Sequence, residues 1–275
     1  MWLSRRSSIS TLLRAGGWGT TVPLRHFATP YLSSGVPKER KLHDQFFKKA
    51  KAEGYAARSA YKLMEIQERH GLLRAGMWVL DLGCAPGSWM QVAGKIVGRP
   101  SRGRDWGNAS EDGRVLGVDL QPVSIELPEC CRAVVGDVFT LTAEDCLRLL
   151  GGPADVVLSD MAPNTTGDPG GDHHQSVRLC RRVLELLPMI LKPGGGLVMK
   201  VFEGLAYPEL LSETQRLFGS AKGLKPVATR QVSREMFIIA QMYQGPAAHA
   251  QRVPRDAGLA PKRPAPRPGW ASGGV

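Results

Sequence analysis

The chain has 275 residues, 43% of them hydrophobic, and a formal net charge of +11. That length suits one α/β domain of about 200 residues with tails, or two small domains, and its apolar runs, such as 154–158 and 197–199, fall far short of the ~20 residues a membrane helix needs. The charge does not by itself point to nucleic acid, because residues 1–37 hold four arginines and no acid, residues 246–275 hold five Lys/Arg against Asp256, and the remainder is only +3.

Residues 1–35 read as a mitochondrial transit peptide that directs the chain to the matrix. Arg5, Arg6, Arg14 and Arg25 are scattered among Ser and Thr, and the first acid is Glu39. Such a segment is drawn inward by the membrane potential. Arg25-His26-Phe27-Ala28 has the look of a processing site, with cleavage expected after Phe27. A folded domain is expected over 36–244. Its first stretch, 38–62, is basic: Lys38, Arg40, Lys41, Lys48, Lys49, Lys51, Arg58 and Lys62 outweigh Glu39, Asp44 and Glu53, with Phe46, Phe47 and Tyr55 interleaved. That mixture suits a surface that follows phosphates and stacks bases.

From residue 58 onward helix and strand patterns alternate. Helices are expected at 58–70, 88–97 and 207–218, and a long one is marked by Val177, Cys180, Val183, Leu184, Leu187, Ile190 and Leu191 on one face. Pro193-Gly194-Gly195-Gly196 is expected to stop it. Apolar runs at 77–83, 114–120, 132–138, 154–161, 197–202 and 235–243 read as strands. Continuously apolar strands between helices indicate a parallel, doubly wound sheet. The polar, glycine-rich stretch Gly98–Gly113 reads as a surface insertion. Residues 245–275, with six prolines and five Lys/Arg, read as a disordered tail. The five cysteines form no CxxC pair, so free thiols in a reducing compartment are expected. Asp172-His173-His174 reads as a polar loop or helix start, and no metal is expected.

In such a sheet ligands sit beyond the carboxyl ends of the strands, where this sequence places Asp81, Asp119, Asp137, Asp160 and Lys200. The first strand runs into Asp81-Leu82-Gly83-Cys84-Ala85-Pro86-Gly87-Ser88-Trp89 and then a helix. Its glycines let the backbone turn sharply and approach a ligand closely. The GxGxxG signature of dinucleotide-binding dehydrogenases is absent. The loop suits S-adenosyl-L-methionine (SAM), which has no pyrophosphate. Asp81 is placed to take its ammonium, Asp119 its ribose hydroxyls, with Leu120 alongside, and Asp137 its adenine amino group.

Four further positions stand out: Lys62 in RSAYKLMEI, Asp160 in LSDMAPN, Lys200 in VMKVFEG and Glu235 in SREMFIIA. Lys200 interrupts an apolar run, where an unpaired charge is costly. With these motifs the sequence closely resembles the FtsJ/RrmJ family of ribosomal RNA 2'-O-ribose methyltransferases, over roughly residues 38–243. Ser88 stands where a second glycine or an alanine is common. The resemblance implies a Rossmann-like SAM methyltransferase fold, an α/β mostly parallel doubly wound seven-stranded sheet. It also implies a Lys-Asp-Lys-Glu catalytic tetrad made of Lys62, Asp160, Lys200 and Glu235, with Asp160 touching SAM as well.

With the presequence, the resemblance is greatest to the mitochondrial branch, which methylates a uridine of large-subunit rRNA and supports ribosome assembly. The partners expected are that rRNA or a pre-ribosomal particle, met by a monomer. A ribose hydroxyl is a poor nucleophile, so the enzyme must align it and take or stabilise its proton. Lys200 is the candidate base in its neutral form, which burial and Lys62 favour and Asp160 opposes; a charged Lys200 would instead stabilise a developing alkoxide. A small-molecule methyltransferase fits the basic lead-in and two site lysines poorly. A methyltransferase-fold assembly factor acting only as an RNA-binding scaffold is the other class to be tested.

Overall fold

The computed structural model describes residues 38–98, 112–229 and 233–247, with side chains from residue 45. The expected presequence, most of the Gly98–Gly113 insertion and nearly all of the proline-rich tail lie outside the described residues.

The strands are β1 (Trp78–Leu82), β2 (Arg114–Asp119), β3 (Cys131–Val135), β4 (Ala154–Ser159), β5 (Leu191–Phe202), β6 (Phe218–Leu224) and β7 (Glu235–Tyr243). They form one seven-stranded sheet in the order β3-β2-β1-β4-β5-β7-β6. β1 to β5 pair in parallel, while β7 runs antiparallel to both β5 and β6. The helices are α1 (Lys38–Ala52), α2 (Ala60–His70), α3 (Ser88–Val97), α4 (Ala143–Leu150), α5 (Pro169–Ile190) and α6 (Tyr207–Leu217).

Successive side chains of a strand point to opposite faces, and the apolar strands fill both. Val79, Val115, Val156, Leu158, Val198, Phe237 and Ile239 pack under α2 and α3, against Leu63, Ile66, Trp89 and Met90. Leu80, Leu82, Leu116, Val157, Leu197, Met199 and Ile238 pack against α4, α5 and α6 through Cys146, Val183, Leu187 and Leu210. Two apolar faces per strand, each roofed by helices, are what a parallel sheet requires. Among the described residues no helix is long and apolar enough to cross a membrane.

Several expectations need correction. β6, which no apolar run marked, is an edge strand, and it takes Phe218 from the end of the expected 207–218 helix. Its sequence FGSAKGL carries two glycines and a lysine, and Gly223 is small because Tyr207 packs onto it. α4 is short, but Thr142 caps it by accepting from Asp145 N at 3.1 Å while its hydroxyl donates to Asp145 Oδ2 at 2.7 Å. That is a T-x-x-D start signal visible in the sequence. Pro193–Gly196 does not separate the helix from its strand: α5 already ends at Ile190, and Leu191 pairs with Ala154. The register then jumps to Gly196 opposite Val156, so the intervening residues bulge from β5. β3 ends at Val135, so Asp137 sits in the loop beyond it.

Leu158, fully buried in a central strand, should tolerate truncation far less than the α4 cap. Leu158→Ala is expected to cost about 2–5 kcal/mol and Thr142→Ala about 1 kcal/mol. Denaturant midpoints at unchanged m-value would measure both.

Candidate active site

The face under α2 and α3 is apolar until the end of each strand, where it turns charged on five neighbouring strands. Val79 is followed by Asp81, Leu158 by Asp160, Val198 by Lys200, and Glu235 precedes Phe237, each two residues apart; Asp119 closes β2. β1 and β4 are neighbours where the strand order reverses, which is where ligands bind in open α/β sheets. β7 enters the sheet at this same edge because it is antiparallel, with Glu235 opposite Phe202 of β5.

The loop after β1 is shaped by close contacts. Gly83 has φ +81°, and a Cβ there would lie 2.8 Å from the Met161 backbone beyond β4, so the loop can lie flat across the crevice only as glycine. Gly83 N donates to Val118 O at 2.8 Å and Gly87 N to Cys84 O at 2.6 Å. The Ala85–Pro86 peptide is cis. Ala85 N donates to Asp119 Oδ2 at 2.9 Å, and the other Asp119 oxygen accepts from Gln121 N at 2.8 Å. Asp137 Oδ1 accepts from Phe139 N at 2.9 Å. These two acids order their own loops and keep lone pairs for a ligand. Leu120, 69% exposed beside Asp119, presents an apolar surface.

Ser88 and Trp89 do not turn their side chains to the crevice. Ser88 Oγ shares a hydrogen bond with Ser59 Oγ at 2.7 Å, and Trp89 Nε1 donates to Ser59 O at 2.9 Å with its ring buried on Phe237. Both therefore lock α3 to the start of α2. What they can offer a ligand is the backbone N–H of a helix start.

Asp81 is the anomaly. It is fully buried and neither carboxylate oxygen has a partner. Burial, then repulsion from Asp160 and Asp119, pushes its carboxyl well above the usual range. A buried, unpartnered acid is costly unless a cation arrives. An amino-acid ammonium is such a cation. The Gly83 cradle, the Asp119–Leu120 strand end and Asp137 extend away from it along the strand tips. This donor set fits SAM.

The four tetrad candidates come together as two ion pairs. Lys62, 5% exposed on α2, donates from Nζ to Glu235 Oε2 at 2.7 Å. Lys200, 7% exposed, donates to the Asp160 carbonyl at 2.6 Å and lies 3.0 Å from its Oδ1. Burial would raise the Glu235 carboxyl, but the Lys62 charge and hydrogen bond, with Lys200 and Ser233, hold it below the usual range. Phe237 lies beneath, its ring 5.5 Å from Lys62 Nζ.

The basic lead-in is only partly an open surface. Lys48, Lys49 and Lys51 are exposed on α1 and Phe47 is 62% exposed. Phe46 and Tyr55 instead pack on Tyr61, with ring centroids 5.5 and 6.2 Å away, so they are not free to stack a base. Lys62 belongs to the buried site, and the side chains of residues 38–44 lie outside the described ones. His173, expected in a polar loop or helix start, is in the first turn of α5. It is 2% exposed, its Nδ1 is 2.7 Å from Phe202 O, and its Nε2 accepts from Ala206 N at 3.0 Å. The described cysteines are all free; burial raises the Cys84, Cys146 and Cys180 thiols.

A family model described as FtsJ-like methyltransferase matches residues 55–243. The chain belongs to that family. FtsJ-like methyltransferases use SAM as methyl donor. A "Ribosomal RNA large subunit methyltransferase E" of Syntrophobacter fumaroxidans is 44% identical over 198 residues, covering 72% of this chain and 94% of that one. The protein of the same name from Desulfatibacillum aliphaticivorans is 41% identical over 202 residues, covering 74% and 91%. A solved chain described as a ribosomal RNA methyltransferase of Plasmodium falciparum shares the fold, with a TM-score of 0.57 at 22% identity, covering 70% of this chain and 100% of that one.

The raised Asp81 carboxyl gives a signed expectation. A folded-state value above the unfolded one means its contribution to stability is lost as pH rises through the folded value. Asp81→Asn should therefore raise the ligand-free melting temperature more at pH 8 than at pH 5. SAM's ammonium prefers the ionised carboxylate, so wild-type affinity should rise with pH and binding should release a proton. In Asp81→Asn both effects should vanish and affinity should fall ~10- to 100-fold. Calorimetry in buffers of different ionisation enthalpy measures this; a mutant that keeps wild-type affinity would contradict the assignment.

Proposed function

We propose that the protein transfers a methyl group from SAM to the 2'-hydroxyl of a uridine in mitochondrial large-subunit rRNA, in the matrix, on the RNA or an assembling particle. The observation that carries this reading is the pairing of Lys62 with Glu235 and Lys200 with Asp160, both buried, at the strand edge beside Asp81. The relatives named as large-subunit rRNA methyltransferases support the substrate class, and the acid-free N-terminal segment with its four arginines supports the compartment.

SAM, when bound, supplies a methyl group already activated on a sulfonium. The chain's own residues then have to orient a hydroxyl and manage one proton. In its neutral form Lys200 has two N–H bonds; the Asp160 carbonyl accepts one of them at 2.6 Å, and Asp160 Oδ1 lies 3.0 Å from Nζ. The lone pair is left to accept the hydroxyl proton. The Asp160 contacts fix the amine's direction. Lys62, held by Glu235 and resting over Phe237, stabilises negative charge that grows on the ribose oxygen. Roofing by α2 keeps both lysines out of water, which strengthens each of these interactions.

Purified protein, labelled-methyl SAM, and mitochondrial large-subunit rRNA or its precursor particle provide the test, with nucleosides resolved by mass spectrometry. The expected product is 2'-O-methyluridine. Lys200→Ala should lower kcat by ~100-fold or more while SAM still binds. Methyl on a base, or full activity in Lys200→Ala, would overturn the reading. SAM binding without transfer to any RNA would favour a scaffold role.

A further inference from the structure

Beside the tetrad, the loop leaving β5 meets the residue entering β7. The pairing of Phe202 with Glu235 sets Glu203 next to Arg234. Glu203 N donates to Arg234 O at 2.6 Å, and Arg234 Nη2 donates back to Glu203 O at 2.8 Å. From the other side His173 bridges Phe202 O and Ala206 N, an arrangement that asks for the Nδ1–H tautomer. Phe202 N donates to Ser176 Oγ at 3.0 Å and Tyr207 N to Gly204 O at 3.1 Å. Gly204 lies so close to the His173 ring that a Cβ would collide with it.

So the turn Glu203–Ala206 is tied down on both flanks, yet it holds Leu205 96% exposed. A lone exposed leucine is ordinary; one held outward on a tied-down turn, three residues beyond the Phe202 that pairs with Glu235, is a fixed apolar prong. Arg234 adds the complementary chemistry. It is exposed, and beyond the bond to Glu203 its guanidinium donors have no partner among the described residues. Asp168 feels its charge, but that carboxylate is already capping α5 through Gly170 N and Gly171 N. Both tetrad lysines are buried and ion-paired within the site. A ribose 2'-hydroxyl in RNA lies beside its own 3'-phosphate, so an anion must come to rest next to this site. Arg234 is the exposed cation adjoining Glu235.

Resting on the RNA reading above, we propose that the stapled Glu203–Ala206 turn and Arg234 form the rim that grips the target nucleotide. Arg234 holds the phosphate adjoining the reacting ribose, and Leu205 packs against the neighbouring base. Both are positioning residues.

The test compares wild type, Arg234→Met, Arg234→Lys and Leu205→Ser in methyl transfer to rRNA across a salt series. SAM affinity and RNA affinity without SAM are measured on the same proteins. Arg234→Met should raise the RNA KM ~10-fold with kcat and SAM affinity nearly unchanged. It should also flatten the dependence of log(kcat/KM) on log salt by about 0.7 to 1. Arg234→Lys should restore the slope. Leu205→Ser should raise KM about fivefold and leave the slope alone. A fall in kcat with KM and slope unchanged would mean that the clip merely aligns Glu235, and would overturn the rim. Equal RNA affinity of wild type and both Arg234→Met and Leu205→Ser would overturn it too. If these variants weaken RNA binding while wild type transfers no methyl, the rim stands and the methylation reading fails.

Discussion

Four charged side chains can be buried at one edge of this sheet because they arrive as two ion pairs. Lys62 with Glu235 and Lys200 with Asp160 each cancel most of the field that the other residues would otherwise feel. Removing a charge from water costs several kcal/mol even after relaxation, and close partners recover it only with good geometry. The 2.7 Å hydrogen bond from Lys62 to Glu235 and the 2.6 Å one from Lys200 to the Asp160 carbonyl supply that geometry. One pair ties α2 to β7 and the other ties β5 to the residue just after β4. Asp81, one strand further on, is left without a partner. The site is thus stable where the protein must be rigid and unsatisfied where a cationic ligand must land.

This division explains how much could be read from the sequence. An apolar run that ends in a charge is visible in one dimension: Val79-Leu80-Asp81, Leu158-Ser159-Asp160 and Val198-Met199-Lys200 each announce a strand and its functional tip. Strand parity then fixes that all three tips share a face. Lys62 carries no such signal, since a single lysine on a helix is ordinarily a solvated charge; only the family motif marked it. What stayed hidden depends on contacts across the chain. Trp89 looks like part of the cofactor loop until its ring is seen buried on Phe237. Phe46 and Tyr55 look like free aromatics until Tyr61 gathers them. β6 lacks an apolar alternation because an edge strand with glycines has only one neighbour to satisfy.

Asp119 and Asp137 differ from Asp81 in a way the sequence could not show. Asp81 and Asp119 sit at strand ends, and Asp137 in the loop just beyond one. Asp119 and Asp137 accept backbone N–H groups, so they shape loops whether or not a ligand is present. Asp81 accepts nothing, and its burial leaves the carboxyl raised. A ligand with a positive amino group therefore gains most from the one residue that costs the free protein most.

The antiparallel β7 is what allows the site to be completed. Had it run parallel to β5, its first residues would lie at the far edge, some 20–30 Å of strand from the crevice by strand rise alone. Running antiparallel, it begins at the edge where the parallel strands end. Glu235 then reaches Lys62, and the chain just before it lies against the chain just after β5. That adjacency is the origin of the reciprocal Glu203–Arg234 hydrogen bonds. His173 of α5 fastens the same turn from behind, so the helix that follows Asp160 in sequence also braces the segment that follows Lys200. Strand direction, set by the fold, thereby builds the tetrad and its rim from the same few residues.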